Sequence, residues 1–437
     1  MPPPPRRRWL PYALAAVWLA AGYANLVRGV PHAGGDGYRA WAFAHHAYSD
    51  VIGLGGDRYL GGDRPVPYLQ DRIEYPPLLA LALWLPAFAP GGILGHFTVT
   101  YLFLAACLLA ALLALERIPG AIPLWLGGTP ALVYYAGLNW DLLPIALLAF
   151  GVERVSAALA SPARPGPAAA GGGLAALGAS AKLFPAVLAP PALGALAGRA
   201  SRRIPAPSPP EVGDASARPL PPPGGEGNRR LAITRGEGGP RALVAFGAAL
   251  CASWLAVNLP PWLAAPEAWI WFWRFNAARG AENSVWHALH LGRGPLLDAL
   301  STLPLLGAAL LATWGAFAAG RRGGDAARAV RLGTALALAV WIATNKIWSP
   351  QYALYGFLAA ALAAAPGGLS LPLVAISAAD YHAAFEVRAL RWPPGFTEGV
   401  FHPVGIVRTA LWLGLAAWIA RALWREARGE ISSRAAR

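Results

Sequence analysis

The chain has 437 residues, of which 56% are hydrophobic and 13% charged, whereas soluble domains carry about 25% charged residues. Such a composition leaves too little polar surface for a water-soluble fold. The net charge of +14 comes from arginines in a few segments between apolar runs, not from one basic domain, so a nucleic-acid partner is excluded.

The apolar runs are roughly 15 to 20 residues long, and about a dozen can be counted; a helix of that length crosses about 30 Å of hydrocarbon. Lipid offers no hydrogen-bond partner to bare backbone, and the apolarity is continuous, not alternating. The predicted fold is therefore an all-α integral membrane bundle of about 11 to 13 transmembrane helices and not a barrel. Cys107 and Cys251 both lie in apolar runs, which supports neither a disulfide framework nor a zinc site.

In chain order, residues 9–26 follow Arg6, Arg7 and Arg8 as a signal peptide would, but the flank 27–35 matches a cleavage site weakly, so the run reads as the first span. The loop 27–75 then carries Asp36, His45, His46, Asp50, Asp57, Asp63, Asp71 and Glu74, with an amphipathic stretch near 38–48 suited to lying flat on a membrane. Asp57 and Asp63 read as ordinary solvated charges. Basic residues mark the cytoplasmic side, which puts both termini inside and requires an even number of crossings before Arg199, yet seven apolar runs precede it. The run 76–93 is broken by four prolines and two consecutive glycines, so it is expected not to cross. That places Asn139-Trp140-Asp141 outside; treating 168–196 as one crossing places it inside. Asp141 reads equally as a helix cap or as a functional carboxylate.

Residues 1–198 form an N-terminal membrane half. The segment 199–241, rich in Pro, Gly and Arg, is expected to be a disordered cytoplasmic linker. Residues 242–437 form a second half with outer loops 263–294, 345–352 and 385–403. Polar groups near span ends are costly unless they pair or line a cavity. Lys182 and Lys346 are the only two lysines among 36 basic residues, which suggests sites wanting a compact point charge, although snorkelling accounts for them equally well. In the segment 271–287, Trp271 and Trp273 read as an interfacial belt, whereas Arg279 and Trp286 flank a polar stretch and read as anion and sugar contacts. There is no Walker loop and no strand-then-glycine fingerprint, so outer-face chemistry points to a lipid-linked donor.

The strings Ala47-Tyr48-Ser49-Asp50-Val51, Pro67-Tyr68, Ile73-Glu74-Tyr75-Pro76-Pro77-Leu78, NWDLLP, AKLFP and TNKIWSPQY resemble, in this order, the bacterial polyprenyl-phosphate-mannose-dependent mannosyltransferases of the GT-C superfamily, over residues 45–365. The glycine-rich 51–56 and the long linker depart from that pattern. The resemblance implies a multi-spanning plasma (inner) membrane enzyme whose first outer loop carries a catalytic carboxylate and which moves a sugar from a polyprenyl phosphate to an acceptor hydroxyl on a glycolipid or glycan. Asp50 is the expected general base, with Asp36 the alternative. Lys346, Arg279 and Lys182 would bind the donor phosphate. Glu74, Tyr75, Asn139, Asp141, Trp286, Trp348, Gln351 and Tyr352 would shape or support the sugar and acceptor site. No protein-bound cofactor is implied, no metal ligand is assigned, and metal dependence is left open. A transporter or lipid flippase, a transferase for another sugar, and a scaffold with a dead site are the competing readings.

Overall fold

The computed structural model describes residues 8–59, 62–161, 164–202, 225–389 and 395–430, with backbone alone over 225–238. In order, the helices are α1 Leu10–Leu26, α2 Gly35–Ala44, α3 Asp50–Tyr59, α4 Pro77–Trp84, α5 Gly92–Arg117, α6 Leu124–Gly127, α7 Leu132–Tyr135, α8 Leu142–Ala160, α9 Gly166–Ala181, α10 Ala189–Ala200, α11 Gly225–Ala264, α12 Pro266–Ala278, α13 Val285–Ala288, α14 Pro295–Arg322, α15 Ala326–Thr344, α16 Ala353–Ala363, α17 Gly367–Ala389 and α18 His402–Arg428. Among the described residues β-pairing is limited to two isolated bridges. Among the described residues, seven helical stretches are long and apolar enough to cross a membrane: Leu10–His32, Gly92–Arg117, Leu142–Ala160, Gly239–Ala264, Pro295–Arg322, Ala326–Thr344 and Thr397–Arg428. The 26 residues of α5 reach about 39 Å at 1.5 Å per residue, more than the hydrocarbon thickness.

Specific contacts fix which ends lie together. Tyr12 at the start of α1 donates to Glu116 at the end of α5, so these helices are antiparallel. Lys182, just past α9, pairs with Asp141 at the start of α8, and Arg199 near the end of α10 donates to the Leu159 carbonyl at the end of α8. The chain therefore turns back between α9 and α10, and 168–196 is two passes, not one. At the end that gathers the loop 33–75, the Asp50 amide donates to the Leu138 carbonyl at 2.7 Å, which ties Asn139 to Asp50. Between α5 and α8 the chain returns through the short α6 and α7, held by Trp18 Nε1 to Gly128 O at 3.2 Å and Ile122 N to Ala361 O at 2.9 Å.

The proline-broken run stays with the loop. Arg64 donates to Ala87 O at 2.8 Å, Trp84 donates to Arg64 O at 3.1 Å, and His96 Nε2 lies 3.1 Å from Leu83 O. The expected linker lies outside the described residues over 203–224, and its last part, 225–241, is continuous with α11.

Small residues set the close crossings. A Cβ on Gly194 or Gly198 would sit 2.3 and 2.2 Å from the Thr313 and Phe317 carbonyls of α14, and one on Gly172 would sit 2.2 Å from Phe246 O of α11. The glycine spacing therefore lets backbones touch, as small-residue faces do between membrane helices.

Candidate functional site

A cavity of about 570 Å³ opens at the loop end, lined by residues of six separate stretches, among them Asp50, Glu74, Tyr75, Asn139, Lys182, Arg279, Gln351 and Tyr352. One wall begins with Ser49. Its hydroxyl donates to Gly137 O at 2.6 Å, its amide donates to the Tyr38 hydroxyl at 2.9 Å, and that hydroxyl donates to Ser49 O at 3.0 Å. So clamped, the chain starts α3 at Asp50. The glycines after it have a steric reason: a Cβ on Gly55 would lie 2.7 Å from the His96 ring, and one on Gly56 would lie 2.7 Å from the Gly34 amide nitrogen.

The Asp50 carboxylate accepts from the Tyr48 hydroxyl and from Asn139 Nδ2, each at 2.8 Å. Asn139 Nδ2 also lies 3.3 Å from the Tyr75 hydroxyl. Burial raises the Asp50 pKa above the ordinary carboxylate value, and the bonds from Tyr48 and Asn139 with the Lys182 charge offset only part of that shift. Other loop acids are held differently. Asp57 accepts from the Gly35 amide at 2.9 Å and from Arg39 at 3.2 Å, so it fastens α2 to α3 and is not merely solvated. Arg58 pairs with both Asp71 and Glu74. Among the described residues, Asp50 accepts side-chain bonds from neutral donors only. Asp36 is fully exposed and 3.9 Å from Arg39, outside the cavity.

The opposite wall comes from the segments 275–293 and 347–352, stitched by Glu282 N to Lys346 O at 3.0 Å and Trp348 N to Glu282 O at 2.7 Å. Arg279 donates to both carboxylate oxygens of Glu282 through one guanidinium edge, Nε at 2.9 Å and Nη2 beside it. Those bonds keep the Glu282 pKa below its ordinary value. Arg293 also lines the cavity and, among the described residues, forms no ion pair. Sequence reasoning missed it, although an arginine between two glycines just before α14 was a usable signal. Asn276, Glu282 and Ser349 were likewise unassigned.

Asp141 makes no capping hydrogen bond. Its side chain is buried and pairs with Lys182, whose ammonium also lies 5.6 Å from the Tyr352 ring centroid. Asp141 thus sets the Lys182 charge from behind the cavity wall. Besides Asp36 and Asp141, three more predicted residues do not reach the cavity. Lys346 is taken by Asp298 at 2.9 Å and Ala277 O at 3.1 Å. Trp286 Nε1 donates to Thr344 O at 2.7 Å. Trp348 is buried and donates to Asp380 at 2.8 Å beneath Arg408, whose guanidinium carbon is 3.9 Å from its ring centroid.

Beside the cavity runs an apolar groove of about 390 Å³ between Tyr68, Leu69, Pro77, Leu78 and Leu81 on one side and Val257, Pro260 and Ala264 of α11 on the other. Cavity and groove meet where the Tyr68 hydroxyl donates to Tyr75 O at 2.5 Å. Compared with protein-family models, curated proteins and solved structures, the chain matches none.

Proposed function

We propose that this chain is a polytopic membrane glycosyltransferase that moves a sugar, mannose by the sequence resemblance, from a polyprenyl phosphate to an acceptor hydroxyl, with Asp50 as the general base. The observation that carries the reading is the convergence on one cavity of a shielded carboxylate, the guanidinium groups of Arg279 and Arg293, and an adjoining apolar groove. A lipid-linked sugar phosphate needs those three environments side by side.

Asp50 takes the proton of the acceptor hydroxyl, the hydroxyl oxygen bonds to the anomeric carbon, and the bond from that carbon to the phosphate oxygen breaks with its electron pair leaving on the phosphate. One displacement inverts the configuration, so a β-linked donor gives an α product. A raised carboxylate pKa suits a base, and arginine forks suit the departing phosphate. Lys182, neutralised by Asp141, supports the sugar pocket beside Tyr352. The groove takes the first isoprene units of the lipid.

Sidedness follows from arginine placement. Arg117, Arg199, Arg321, Arg322, Arg425 and Arg428 sit in the last turns of helices that end opposite the cavity. The reading therefore puts that end and both termini in the cytoplasm, and the cavity outside. A transporter would hold its polar groups near the bilayer midplane, whereas this cavity lies where the loops gather.

The test is incubation of membranes containing the chain with a panel of labelled polyprenyl-phosphate sugars, followed by identification of the labelled product. Label from the mannose donor in an α-linked product is expected. Transfer from none of the donors, together with uptake or flipping of the labelled lipid, would replace the transferase with the transporter.

A further inference from the structure

At the end of the bundle opposite the Asp50 cavity lies a second, smaller one of about 380 Å³, lined by Arg117, Glu153, Arg199, Asp325, Arg328 and Arg331 along with apolar residues of α8 and α15. The sequence reads Arg199, Arg328 and Arg331 as topology signals and nothing more. Their geometry asks for more.

Arg331 is only 6% exposed, and among the described residues its Nε and Nη1 have no hydrogen-bond partner. A buried guanidinium left unpaired is costly. The backbone closes on it as well, since a Cβ on Gly120, whose φ is +77°, would lie 2.9 Å from Nη1. The neighbouring acids are held by other groups, although Glu426 Oε2 makes no hydrogen bond among the described residues. Glu153 is held by two nitrogens of Arg154. Asp325 caps α15 by accepting from the Arg328 amide at 2.9 Å, and Glu426 lies 3.6 Å from Arg328 Nε.

One structural explanation is that arginines answer the partial negative charge of helix C-termini. It accounts for Arg199, which donates to Leu159 O, and for Arg117 in the last turn of α5. It does not account for Arg328 and Arg331, which lie in the first two turns of α15, where a cation opposes the helix dipole. A helix N-terminus with arginines added to it is a place for an anion.

We propose that this cavity binds a phosphate-bearing anion, a phosphomonoester or diphosphate group, with Arg331 and Arg117 as its principal donors and Arg199 and Arg328 completing the positive lining. Several guanidinium forks converging on one cavity match phosphate oxygens better than a single carboxylate. The group reaches the site on a lipid headgroup or as a soluble phosphate.

The test uses the purified full chain. Titration calorimetry in neutral detergent with inorganic pyrophosphate probes the soluble source. Native mass spectrometry from nanodiscs of phosphatidylcholine with or without phosphatidic acid probes the headgroup. Saturable binding in at least one arm is expected, weakened at least about tenfold by Arg331→Met and by Arg117→Gln, since a hydrogen bond to a charged group commonly contributes that much. Arg117 is exposed, so its variant decides the matter if the Arg331 variant does not fold. Pyrophosphate binding without lipid retention assigns the soluble source, and the converse assigns the headgroup. Absence of saturable binding in both arms, or an Arg117→Gln chain that binds like the parent, overturns the proposal.

Discussion

Replacing Arg408 by Met tests how the cavity's outer wall is held. Arg408 and Asp380 form an ion pair with side chains 2% and 1% exposed. Arg408 also donates to Asn283 O at 3.1 Å and lies over the Trp348 ring, while Trp348 Nε1 donates to Asp380. One guanidinium therefore fixes both segments that carry Glu282, Ile347 and Ser349 into the cavity. Removing it leaves a buried carboxylate with one neutral donor, a loss of about 3–5 kcal/mol, to which the lost ring contact adds up to about 2 kcal/mol. Thermal unfolding in detergent should show Arg408→Met well below the parent, and Asp380→Leu/Arg408→Met recovering most of the difference because no charge is stranded. A single variant that melts like the parent, or a double variant worse than the single, would refute the reasoning.

Three further outcomes follow from the cavity and its supports. Gly55→Ala sets a methyl 2.7 Å from the His96 ring and should cost about 1–3 kcal/mol, whereas Gly37→Ala, with open space around its Cβ position, should be neutral or slightly stabilising; equal melting temperatures for the two would contradict the packing. Asn139→Ala removes a bond that lowers the Asp50 pKa, so more of Asp50 is protonated at a given pH and the acid limb of the rate profile should move to higher pH, a shift absent if Asp50 is not the base. Lys182→Met strands the buried Asp141 and should lower both stability and transfer, with Lys182→Met/Asp141→Asn restoring stability but not transfer. Stability unchanged in the single variant would remove the pair from the account.

Much of the cavity was legible because polar residues are scarce in this chain and costly where they occur. Asp50, Glu74, Asn139, Lys182 and Arg279 could be picked out on that ground, Tyr75, Gln351 and Tyr352 came from the motif strings, and all of them meet in one place. What the sequence does not carry is which neighbour claims a polar group. Lys346 looked free, but Asp298, 48 residues earlier, takes it; Trp348 looked like a sugar platform, but Asp380 and Arg408 bury it. The same limit hid Arg293, whose only mark was two flanking glycines. Long spans such as α5 and α14 declare themselves by length, whereas the pass through α6 and α7 is broken and the turn near 182–188 separates two short helices, so crossing counts there depended on contacts such as Lys182 with Asp141.

The most direct test of the central claim is transfer of labelled mannose from polyprenyl-phosphate mannose by membranes carrying Asp50→Asn. Asparagine can accept from Asn139 and donate to the Tyr48 hydroxyl. The raised Asp50 pKa means that the ionised carboxylate costs folding stability above that pKa and the cost fades as pH falls through it. At neutral pH the variant should therefore express normally and melt at or above the parent temperature, while transfer falls by about 10² to 10⁴. Transfer near the parent rate in Asp50→Asn would contradict the account, and a loss found in Asp36→Asn instead would move the base out of the cavity altogether.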